Sequence, residues 1–84
     1  MVSYYLTCRS LTYAQRVSRA LTTARIKNYI ARTPQSLTRE GCGYAVRING
    51  ANLTQALEIL GAAQLPPKKV YTSTGNGHFE EVDR

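Results

Sequence analysis

Ile26-Lys27-Asn28-Tyr29-Ile30-Ala31 and Tyr44-Ala45-Val46-Arg47-Ile48 are two runs of strand composition, separated only by Arg32-Thr33-Pro34-Gln35-Ser36-Leu37-Thr38-Arg39-Glu40-Gly41-Cys42-Gly43. β-Branched and aromatic residues suit a pleated, half-buried surface. In the second run a period of two turns Tyr44, Val46 and Ile48 inward and Arg47 outward. The connection is twelve residues long, whereas hairpin loops usually run to about two to five. Long connections in small domains tend to carry function. Pro34 stiffens its start, and Ser36 is placed to cap a short helical turn.

Upstream, Val2 to Cys8 alternates. Val2, Tyr4, Leu6 and Cys8 share the core face, and Ser3, Tyr5, Thr7 and Arg9 share the other. Ser10 is an N-cap residue for a helix whose apolar stripe is Leu11, Ala14, Val17, Ser18 and Leu21. Thr12, Gln15, Arg16, Arg19 and Thr23 fall on its opposite side. Downstream, Asn49-Gly50 turns the chain, and Asn52 with Gln55 has the spacing of a capping box. Leu53, Ala56, Leu57, Leu60 and Ala63 then form a second helical stripe, which Pro66-Pro67 ends. Lys68 to Thr72 is a short last strand. Ser73 to His78 has turn composition.

The order strand, helix, strand, strand, helix, strand predicts an α+β ferredoxin-like βαββαβ sandwich. Two helices cover one face of a four-stranded antiparallel sheet, and Tyr5, Thr7, Tyr29 and Arg47 mark an open second face. One domain is expected over residues 1–72, with a mobile tail over 73–84. At 84 residues the core is only just sufficient for independent folding.

No run is long enough to span a bilayer, and Met1 to Leu6 lacks the pattern of a signal peptide, so a cytoplasmic location is expected. Two cysteines and one histidine lack zinc-like spacing, so neither metal nor cofactor is expected. The formal charge is +6, and the first 39 residues hold seven basic side chains and no acid. Three of the five acids lie in the last five residues, as Glu80, Glu81 and Asp83. A body so charged attracts anions: nucleic acid, an acidic protein or a small oxyanion.

Cys42, between Gly41 and Gly43, has two readings. A cysteine is commonly a small buried hydrophobe, and glycines commonly turn the chain. The topology supplies the other reading, because the end of the first strand lies beside the start of the third. Cys42 then meets Cys8 and the helix start at Ser10. Orphan amides and the positive helix end there favour a thiolate, with Arg9 and Arg39 adding positive charge. Amides around Gly41 and Gly43 are suited to an anion-holding nest. Cys8 is read as a packed thiol, or as a resolving partner if its Cα lies within about 7 Å of that of Cys42.

Tyr4-Tyr5-Leu6, Ser10 and its helix, Thr33-Pro34-Gln35-Ser36-Leu37 with Gly41-Cys42-Gly43, and Ala56-Leu57-Glu58-Ile59-Leu60 resemble the putative Se/S carrier protein-like family. Its members are short, single-domain bacterial proteins. The likeness runs from Val2 to about Tyr71, and its most specific part is the Pro34 loop leading into Cys42-Gly43. The resemblance implies a carrier rather than a stand-alone enzyme. Sulfur or selenium would be held on Cys42, with Pro34, Ser36 and Gly43 shaping the loop, and donor and acceptor proteins as partners. The chain departs from the family at Gln35, where a basic residue is common. Cys8 lies outside the shared motif.

Two other functions fit the fold. An interaction module would bury the open sheet face in a homodimer or partner. An RNA-binding domain would stack bases on aromatic residues, but Gly41-Cys42-Gly43-Tyr44 puts Cys42 and Arg47 at the stacking positions and Glu40 where a base is usual. That pattern makes nucleic acid the less favoured partner.

Overall fold

The computed structural model describes residues 3–33, 43–75 and 78–82. Five strands and two helices follow one another as β1 (Ser3–Cys8), α1 (Leu11–Thr23), β2 (Asn28–Arg32), β3 (Tyr44–Asn49), α2 (Leu53–Ala62), β4 (Lys69–Gly75) and β5 (His78–Glu81). They form one antiparallel sheet in the order β2-β3-β1-β4-β5. The four expected strands therefore become five.

Leu6 and Cys8 of β1, Val46 and Ile48 of β3 and Val70 of β4 lie on one sheet face. They form a single core with Ala14, Val17 and Leu21 of α1 and Ala56 and Leu60 of α2. Leu6, Val17, Leu21, Val46, Leu60 and Val70 are fully buried. Each such side chain contributes about 1.5–3 kcal/mol relative to exposure. Leu11 and Ala63, at the ends of the expected stripes, remain exposed.

Ser10 caps α1 as expected, its Oγ accepting the Tyr13 N–H at 3.1 Å. Asn52 makes no side-chain cap. The side chain of Asn49 accepts the Ala51 N–H at 3.0 Å and opens a 3-10 turn over Gly50–Asn52 that runs into α2. Asn52 thus holds the expected N-cap position of α2, while the side-chain cap is made one turn earlier by Asn49.

Both helices end alike. Arg25 follows α1 with φ 66°, and Gln64 follows α2 with φ 60°. The Ile26 N–H reaches the Leu21 carbonyl at 2.9 Å, and the Leu65 N–H reaches that of Leu60 at 2.8 Å. This is the pairing that closes a helix through a left-handed residue, usually glycine. Ile26 is thereby folded into the core, and β2 begins at Asn28 rather than Ile26. Asn28 ties the strand back to α1: its Nδ2 donates to the Ile26 carbonyl at 2.9 Å and to Thr22 Oγ1 at 3.1 Å, while its Oδ1 accepts from Ser18.

Thr7 was expected to face solvent and is buried. Its Oγ1 accepts the Lys69 N–H at 2.9 Å and donates to the Lys69 carbonyl at 3.1 Å, and its carbonyl accepts the Lys68 N–H at 2.8 Å. The hydroxyl thus completes the start of β4. Residues 73–75 extend β4 and His78–Glu81 form β5, in the region where a tail was expected. β5 pairs Tyr71 with Glu81, Thr72 with Glu80 and Ser73 with Phe79, with an irregularity between Ser73 and Gly75. It is held further by an edge-on Tyr5–Phe79 contact at 5.3 Å and by the Val82 N–H donating to the Val70 carbonyl at 2.7 Å.

Candidate functional site

The antiparallel ladders bring Cys8 of β1, Tyr44 of β3 and Arg32 of β2 into one row. One step further, the Thr33 N–H donates to the Gly43 carbonyl at 3.1 Å. The connection therefore leaves and rejoins the sheet at the end where β1 finishes and α1 begins. Cys8, Arg9, Ser10 and Gly43 are gathered there. Cys42, Gly41, Pro34, Ser36 and Arg39 lie outside the described residues.

The residues at this end have distinct local tasks. Cys8 is fully buried, and its Sγ donates to the Leu6 carbonyl at 3.4 Å. Arg9 is exposed and lies 4.9 Å over the Tyr13 ring. Tyr13 in turn donates its hydroxyl hydrogen to the Pro66 carbonyl at 2.6 Å, which fixes the segment after α2 against the start of α1. Ser10 spends its Oγ on the helix cap. No acid stands in the first turn of α1, so the positive end of the helix dipole is not offset by its own side chains.

Gly43 is exposed, and a Cβ added to it would meet nothing within 4 Å. Its φ lies outside the left-handed region. The backbone freedom expected of this glycine is therefore not used at Gly43. Thr33 is the residue that sequence reading passed over. It is 5% exposed, and its Oγ1 is buried with no hydrogen-bond partner. An unsatisfied buried hydroxyl is costly and uncommon. In the sequence it opens the Thr33-Pro34-Gln35-Ser36-Leu37 motif, but nothing local marks its hydroxyl as buried.

The family comparison adds to this geometry. The sequence profile described as "Putative Se/S carrier protein-like" matches residues 3–72. The chain belongs to that family. The match covers both helices, β1 to β3 and most of β4, together with the whole connection from Thr33 to Gly43. No curated protein and no solved structure matches the chain. Among the described residues no group of His, Cys, Asp or Glu is placed to hold a metal ion, and no helix is long and apolar enough to cross a membrane.

Proposed function

We propose that this protein carries sulfur or selenium on Cys42, on a ferredoxin-like frame to which β5 is added at one edge. Family membership over residues 3–72 is the observation that carries this reading. The position of Gly43 beside the end of β1 and the start of α1 supports it. A carrier needs a nucleophilic sulfur and a surface for partners more than an enclosed substrate pocket.

In the loading step the Cys42 thiolate attacks the outer sulfur of a donor persulfide. The donor S–S bond breaks, a new S–S bond forms on Cys42, and the donor thiolate leaves with the electron pair. An acceptor thiolate then attacks the same outer sulfur and releases Cys42 as thiolate. Neither step changes the net oxidation state, so no external oxidant or reductant is required. The selenium version replaces the outer sulfur by selenium. The amide-rich start of α1 and the charges of Arg9 and Arg39 favour the anionic sulfur, with Pro34, Ser36, Gly41 and Gly43 shaping the segment that bears it. Cys8, packed in the core, serves the fold.

Incubation with a low-molecular-weight persulfide, trapping and mass spectrometry of the intact chain test the proposal. The expected result is one added sulfur that maps to Cys42 and is lost in Cys42→Ser but kept in Cys8→Ala. Alkylation of Cys42 is expected to follow an apparent pKa below the ordinary thiol value of about 8.5. An unloaded Cys42 with an ordinary pKa overturns the carrier reading.

A further inference from the structure

The face of the sheet turned away from the helices carries a row whose composition is not explained by folding. Strand pairing sets Tyr29 opposite Arg47, Arg47 opposite Tyr5, and Tyr5 opposite Tyr71. Residues directly opposite one another in a ladder share a face. The row therefore reads ring, guanidinium, ring, ring across β2, β3, β1 and β4, and ends on Glu81 of β5 at the far edge. With strands about 4.8 Å apart it is about 14 Å long from Tyr29 to Tyr71.

Its β2 end is open. Tyr29 is 58% exposed, the Arg47 guanidinium lies 5.5 Å over its ring, and Arg47 is itself exposed. Two shallow hollows adjoin Tyr29. One is lined by Lys27 and Arg47 with Ser3 and Asn49, the other by Arg25 and Lys27 with Thr22 and Asn28. Three cations thus line the hollows beside the exposed ring, and among the described residues no carboxylate lines either hollow.

We infer that this face binds single-stranded nucleic acid, with bases stacked along the Tyr29–Arg47–Tyr5 row and phosphates held by Lys27 and Arg25. Bases stack on tyrosine rings and on guanidinium planes alike, and cations beside the rings meet the backbone. The length of the row suits about two or three nucleotides. Contact through ring faces makes the binding tolerant of sequence. A second copy of the chain fits this face less well, because a two-fold axis through the centre of the row would set Arg47 against its own copy. The cores of protein interfaces are also depleted in charge.

This function is independent of the thiol, so its test leaves Cys42 aside. Short fluorescent oligonucleotides of mixed sequence, as single-stranded RNA, single-stranded DNA and duplex, are titrated with the full chain and followed by anisotropy at about 50 and 200 mM salt. Single strands are expected to bind in preference to duplex, with affinity falling steeply between the two salts. RNA binding more tightly than DNA assigns the ligand to RNA, and equal affinity assigns it to single strands of either sugar. Tyr29→Ala and Arg47→Ala are each expected to weaken binding by about tenfold, while Tyr29→Phe retains it. Arg16→Ala removes a charge from α1, away from the row, and is expected to cost less than threefold, roughly one phosphate contact at most. Absence of binding, equal affinity for duplex, or an Arg16→Ala loss equal to that of Arg47→Ala overturns the inference. So does a dimer in sedimentation that Tyr29→Ala disperses while no oligonucleotide binds.

Discussion

The two halves of the outer sheet face differ although one row of residues crosses both. On the β5 side Tyr5 meets Phe79 edge-on, Lys69 lies 3.8 Å from Glu81, and Thr7 is buried beneath the start of β4. On the β2 side the Arg47 guanidinium lies over the Tyr29 ring, both residues are exposed, and Lys27 and Arg25 line the adjoining hollows. The edge strand makes the difference. β5 brings Phe79 and Glu81 to this face, whereas β2 brings Tyr29, with Lys27 and Arg25 just ahead of the strand. Beyond Tyr5 the face is therefore closed by folding, and from Tyr5 to Tyr29 it is left for a ligand.

The largest expected contrast is in stability. Phe79→Ala removes the ring that packs on Tyr5 and loosens β5, at a cost of about 1–2 kcal/mol. Tyr29→Ala on the open half stays within about 0.5 kcal/mol, as exposed positions usually do. Urea unfolding of the two variants measures the difference, and equal losses would erase the distinction between the halves.

A smaller effect separates charge from backbone. Arg25 holds φ 66°, a conformation in which an ordinary residue costs about 1 kcal/mol relative to glycine. Arg25→Gly is expected to gain up to about 1 kcal/mol of stability while weakening oligonucleotide binding. Gln64→Gly, at φ 60° after α2, is expected to show the same gain with binding unchanged. A loss of binding in both variants would place the effect in the fold rather than in the guanidinium. The smallest effect belongs to the closed half. Glu81→Gln removes a partly exposed ion pair and is expected to cost no more than about 0.5 kcal/mol, less at high salt.

What could be read from residues alone followed the strength of each local signal. The helical stripe of Ala14, Val17 and Leu21 and the alternation of Leu6 and Cys8 are carried by one element each, and both proved to be core. So did the capping role of Ser10. β5 escaped because four residues with two adjacent acids show no period of two. Its place depends on a partner strand, not on its own composition. The burial of Thr7 and the orphan hydroxyl of Thr33 depend on what lies across the sheet, which no local pattern encodes. The same holds for the row joining Tyr29, Arg47, Tyr5 and Tyr71. These residues are scattered along the chain and meet only once the register is fixed. At the thiol end, the nearness of Gly43 to Cys8 followed from topology, whereas the roles of Arg9 on Tyr13 and Ser10 on the helix cap depended on side-chain geometry.

The hydrogen bond from Thr33 to Gly43 finishes the β2–β3 ladder before the nine intervening residues, 34–42, are counted. Chain-closure entropy rises only logarithmically, by about 0.6 kcal/mol for each doubling of length. Closure entropy alone therefore asks little for a longer or shorter connection between Thr33 and Gly43. On the carrier proposal, the residue that holds the sulfur and the ladder that closes the sheet then occupy different stretches of the chain.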